Sequence, residues 1–158
     1  VAVYASIELR ELFDKGTTTR DAFKMWHFML GLSVLALVSV RLIARVVGGS
    51  APDIKPEPAK WQNNLAKLVH VILYGFMFAM PIAGWLILST AGKPIPFFGL
   101  ELPPLASKDL DLAKTIKELH ETAGEVGYYL IGLHAAAALF HHYVLSDNTV
   151  ARMRLPKK

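Results

Sequence analysis

Three long apolar stretches dominate the chain: Met25–Val47, Leu65–Thr90 and residues 122–145. Each has about 20 or more residues, enough to cross a hydrocarbon core about 30 Å thick as a helix. A soluble helix keeps a polar face, but Leu30–Val40 has only Ser33 and Ser39 on any side. The pattern therefore predicts membrane spans rather than buried helices of a soluble bundle. Val1–Ile7 is also apolar, yet too short to span and too short for the hydrophobic region of a signal peptide. It reads as the remnant, about residues 1–10, of a first helix largely missing from this chain. The expected fold is all-α: one domain over 1–158, an integral membrane four-helix bundle with helices at about 1–10, 25–47, 65–90 and 122–145. Pro81 falls inside one of these stretches and is expected to kink it. Ala51–Pro58 reads as a stiff polar connector. Lys93–Pro104, rich in Pro, Gly and apolar residues, suits the membrane interface, and Lys108–Leu119 reads as a short amphipathic lead-in to the last helix.

Composition agrees with this pattern. Of 158 residues, 53% are hydrophobic and 19% charged, and mean hydropathy is +0.36. A soluble domain carries about 25% charged residues. The lack of cysteine excludes disulfides, thiolate metal sites, cysteine nucleophiles and thioether-attached c-type haem. The net charge of +4 and pI near 9.4 could suggest nucleic acid, but the charges are arranged by topology. Between Arg41 and Lys67 five basic residues face two acids, and the tail after Leu145 has four against Asp147. The segments Glu8–Lys24 and Lys93–Glu121 are close to balanced. Basic excess marks the cytoplasmic side, so both termini are expected there, and no nucleic acid binding is expected.

All six histidines lie in or at the ends of the apolar stretches: His27, His70, His120, His134, His141 and His142. Ionisable groups inside a membrane are costly and point to function, although a single one can be a packed histidine bonded to a neighbouring helix. Six together, with no carboxylate mid-helix to complete a proton relay, favour a metal or haem. His120 and His134 are 14 residues apart, about 40° short of four full turns, so they share a helix face about 21 Å apart along the axis. One small metal centre cannot use both, whereas two stacked haems can, each taking an imidazole as axial ligand. His27 and His120 begin helices of the same direction and are expected at one depth, on opposite faces of one iron. His134 lies deeper and needs another partner. Gly31 and Gly124 follow His27 and His120 by four residues, on the same helix face. The missing side chains leave room either for a porphyrin plane or for close helix packing.

At these residues the chain resembles the bacterial cytochrome b561 family. WHFMLG, VRLIAR, HVILYGF through MPIAGW, LHETAGEVGYYLIGLHAAAALFHHY and DNTVARM carry the resemblance, which covers nearly the whole chain. It implies a four-helix, dihaem, inner-membrane bundle that passes electrons between the membrane surface and quinone. It makes His27 and His120 ligands of an outer b-type haem and His134 a ligand of an inner one. The inner haem's second ligand would come from a His-Trp pair early in the first helix, a stretch this sequence does not contain. His70, at about the depth of His134, is the local substitute, or else a pocket residue or propionate partner. Arg41 is a candidate partner for inner-haem propionates. His141 and His142 are candidates for a quinone or proton path, or for interface positions only. Lys108, Lys114 and Lys117 could steer an anion, or form a solvated face neutralised by nearby acids. The members it most resembles oxidise periplasmic superoxide and reduce ubiquinone. The alternative is a haem-bearing subunit relaying electrons between a hydrogenase or dehydrogenase and quinone. A histidine-rich metal or proton transporter is a third reading, from another class.

Overall fold

A computed structural model describes residues 1–48 and 54–150. The start of the expected connector and the basic tail from Arg152 onward lie outside the described residues. Among the described residues there are four helices: α1 (Ala2–Leu9), α2 (Thr18–Val47), α3 (Lys60–Thr90) and α4 (Leu110–Tyr143). A 3-10 turn, Arg10–Leu12, follows α1. A small antiparallel hairpin of β1 (Pro96–Phe97) and β2 (Leu100–Glu101) separates α3 from α4.

Local chemistry sets where the helices start. The Thr17 hydroxyl accepts from the Arg20 N–H, and one Asp109 carboxylate oxygen accepts from the N–H groups of Asp111 and Leu112. Each satisfies donors that a helix start leaves open. As a result α2 and α4 begin well before their apolar stretches, and Lys108–Leu119 is no separate lead-in, because α4 runs on from Leu110 without a break. α3 continues through Pro81, which is buried.

Packing runs α1 on α2, α2 on α3, and α3 on α4. Side-chain bonds return α1 to α4: the Tyr4 hydroxyl donates to the Gly124 carbonyl and the Tyr128 hydroxyl donates to Glu8. The four helices therefore close into a bundle. The densest core sits at the hairpin end, where Leu32, Leu88 and Ile95 are buried against Phe28, Trp85, Phe97 and Leu102. The connection from α3 is held down by bonds from the Leu102 N–H to the Ile95 carbonyl, from the Trp85 indole N–H to the Pro103 carbonyl, and from the Leu105 N–H to the Ser89 hydroxyl. At the opposite end, Lys55 and Asn148 bond each other and tie the loop before α3 to the end of α4.

Most of the apolar surface points outward. Leu37, Val40, Ile43 and Val46 of α2, Leu68 and Val71 of α3, and Tyr129 and Leu133 of α4 are all exposed. Among the described residues α2 and α3 are long and apolar enough to cross a membrane, both with mean hydropathy 2.1. Only 11% and 6% of their most apolar windows are buried, which is the reverse of a soluble core helix. α4 was expected as a third such span but is not among them. Three histidines and several tyrosines dilute its apolar stretch, although it packs along the full bundle. The fold is a membrane helical bundle.

Candidate functional site

The first site forms where α2 and α4 face each other near the hairpin end. The rings of His27 and His120 have centroids 6.4 Å apart and planes at 84°. Two imidazoles bonded to one metal from opposite sides, each through a bond of about 2 Å, hold their centroids about 6 Å apart. The pair therefore has the spacing of two axial ligands. His27 Nδ1 lies 3.0 Å from the Val3 carbonyl of α1. A carbonyl only accepts, so Nδ1 carries the proton and Nε2 keeps the lone pair a metal requires. His120 Nδ1 is buried with no hydrogen-bond partner.

The glycines around this pair leave space. A Cβ on Gly31 would meet nothing within 4 Å, and one on Gly124 would meet only the Met80 methyl at 3.8 Å. Gly31 thus has no packing partner that its small size would serve. Gly84 of α3 lies beside His120, where a Cβ would come 3.7 Å from the imidazole Cε1. Sequence reasoning did not single out Gly84, although it lies within the MPIAGW block. The Val3 carbonyl was equally invisible, because a backbone acceptor leaves no mark in a sequence.

A second pair lies further along α4. His134 meets His70 of α3, with centroids 5.4 Å apart and planes at 77°. One turn beyond His70 on the same face, Tyr74 accepts a 3.1 Å hydrogen bond from Arg41 Nε. Arg41, Tyr74, His70 and His134 thus gather at one level of the bundle. Between the two histidine pairs, Tyr4 and Phe76 press onto the buried Gly127 of α4, where any Cβ would collide with both.

The remaining candidates are engaged elsewhere. His141 Nδ1 lies 2.6 Å from an oxygen of buried Asp147, which also accepts the Thr149 N–H. Burial alone would raise the Asp147 pKa, but these bonds from Thr149 and His141 hold it below the usual carboxylate range. His142 meets Tyr143 edge-on with centroids 4.8 Å apart, and its Nδ1 is buried without a partner. Lys117 pairs with Glu121 at 2.7 Å and Lys114 with Glu118 at 4.0 Å, both on an exposed face. Lys108 lays its stem over Gly92.

Among the described residues no three His, Asp or Glu side chains converge as a cluster for a metal ion. The histidines come in facing pairs, which suits an iron whose other four ligands come from a porphyrin better than tetrahedral zinc. The residues at His27 and His120 fit a haem.

Comparison with known proteins points the same way. A family model described as prokaryotic cytochrome b561 matches residues 1–155. Cytochrome b561 homolog 1 of Escherichia coli (strain K12) is 39% identical over 155 residues, covering 98% of this chain and 87% of that protein. Probable superoxide oxidase CybB of Yersinia pestis is 38% identical over 158 residues, covering 100% of this chain and 88% of that protein. Cytochrome b561 homolog 2 of Escherichia coli (strain K12) is 29% identical over 128 residues, 80% of this chain and 68% of that protein.

Proposed function

The chain belongs to the prokaryotic cytochrome b561 family, and from that premise we propose that it is a superoxide:ubiquinone oxidoreductase of the bacterial inner membrane. The observation that carries the reading is the His27–His120 pair, spaced for two axial ligands, with one tautomer already set. The likeness to the probable superoxide oxidase of Yersinia pestis supports the substrate class. Bound haem supplies reversible one-electron chemistry.

In this reading His27 and His120 hold a b-type haem near the periplasmic surface, and Val3 keeps His27 Nε2 available for it. Gly31, Gly84 and Gly124 would leave room for it. His134 would help hold a second haem further along α4, toward the cytoplasmic side. For that site the chain itself offers His70 as partner, and the family pattern offers a first-helix histidine that this sequence does not contain. Arg41, steadied by Tyr74, is suited to pair with a propionate there. Two superoxide anions each lose one electron to become oxygen, and one ubiquinone takes two electrons and two protons. His70, His141 and His142 are the titratable groups at the end where those protons enter.

The test is superoxide-dependent ubiquinone reduction by the purified, haem-loaded protein in liposomes. The reading expects quinol to form at one per two superoxide consumed, and expects His120→Ala to abolish it. Quinol formation that is indifferent to superoxide would overturn it.

A further inference from the structure

Beside the first histidine pair is a pocket of about 240 Å³, between the first turns of α2, the last turns of α3 and the segment leading into the hairpin. Its floor is apolar, with Phe28, Leu88 and Pro96. Its charged lining is Lys24, Lys93 and Asp21. Lys24 stands one turn from His27 on the same side of α2, with its ammonium 6.0 Å from the Phe28 ring centre.

Charge is unbalanced here. Lys93, Arg10 and Lys117, from three other parts of the fold, all repel the Lys24 ammonium, and Asp21 attracts it. Arg10 and Lys117 have their own carboxylates, Glu11 and Glu121. Lys24 and Lys93 take part in no salt bridge among the described residues. Two ammonium groups sharing a part-apolar pocket destabilise each other unless an anion joins them. Asp21 lines the pocket but makes no such bridge. The apolar floor admits a group whose charged end is small and whose body is not.

We propose that Lys24 and Lys93 form a binding site for a small oxyanion group, placed one helical turn from the His27–His120 pair. Two sources share that chemistry: a carboxylate of a haem held by the pair, or a free small oxyanion from solution. The first source rests on the proposed haem at this pair.

Purified full-length chain, Lys24→Gln, Lys93→Gln and the double variant distinguish them, with Lys24→Arg as the conservative control. The readouts are the rate of haem transfer to excess apomyoglobin, and thermal unfolding in sodium formate against sodium chloride at equal ionic strength. If the source is the haem carboxylate, the double variant loses haem about tenfold faster, Lys24→Arg restores slow loss, and formate has no effect on the wild type. If the source is a free oxyanion, formate raises the wild-type midpoint saturably, the double variant does not respond, and haem transfer is unchanged. A protein indifferent to both the substitutions and formate overturns the site. A preparation without haem overturns the proposed cofactor instead, and the formate arm still decides the pocket.

Discussion

A single backbone oxygen decides what His27 can do. The Val3 carbonyl takes the Nδ1 proton and leaves Nε2 free, so a contact from α1 sets the tautomer of an imidazole on α2. The histidines themselves were legible in the sequence, since ionisable residues in apolar helices stand out. The helical period also gave the shared face of His120 and His134. The Val3 contact and the Gly84 clearance were not legible, because both depend on how neighbouring helices are rotated. Gly127 is a further case. Its Cα lies so close to Tyr4 and Phe76 that a Cβ has no room. Gly127→Ala is expected to cost about 1–3 kcal/mol through overpacking, read as a lower thermal midpoint in detergent. Asp147 supplies a pH dependence. Its folded pKa lies below the usual value, so the stability it contributes is present above the ordinary carboxylate range and is lost as pH falls through the folded pKa. Thermal midpoints measured from pH 7 down to pH 3 should converge for the wild type and Asp147→Asn at the acid end and separate above it. Parallel curves would contradict the pairing.

At the scale of elements, the apolar runs located the spans but not the helices. Hydropathy marks the part of a helix that suits lipid. The ends are set by polar caps and loop bonds, which is why α2 starts at Thr18 and α4 at Leu110. The hairpin escaped notice for a different reason. Its turn needs left-handed backbone at Phe98 (φ 48°) and Gly99 (φ 87°), and only the glycine signals that in sequence. Phe98 adopts it while its N–H contacts the Met29 sulfur at 3.4 Å and its ring meets Trp26 edge-on. Gly99→Val should destabilise this end by about 1–2 kcal/mol. The expected signature is faster exchange of the Leu102 amide, whose bond to the Ile95 carbonyl the hairpin protects, with exchange near His134 unchanged.

For the molecule as a whole, the outward apolar surface and the paired histidines belong to one design. A bundle with lipid-facing sides can spare its interior for two facing pairs on α4, about 21 Å apart along the axis. Under the proposed function, an electron crossing the membrane would meet two stations instead of one long gap. Fold class and family were readable from apolar runs and motif blocks, because both are written along the chain. The pairing of ligands was readable only as far as depth could be inferred. His134 shows how far this reaches, since depth made His70 its local candidate partner and the fold sets the two rings 5.4 Å apart.

The central claim is that His27 and His120 hold a haem, and haem content tests it most directly. Pyridine haemochrome measurement on the purified chain and on His120→Ala gives b-type haem per protein. The account expects b-type haem in the wild type and one equivalent fewer in His120→Ala. No haem in the wild type, or an undiminished ratio in His120→Ala, would contradict it.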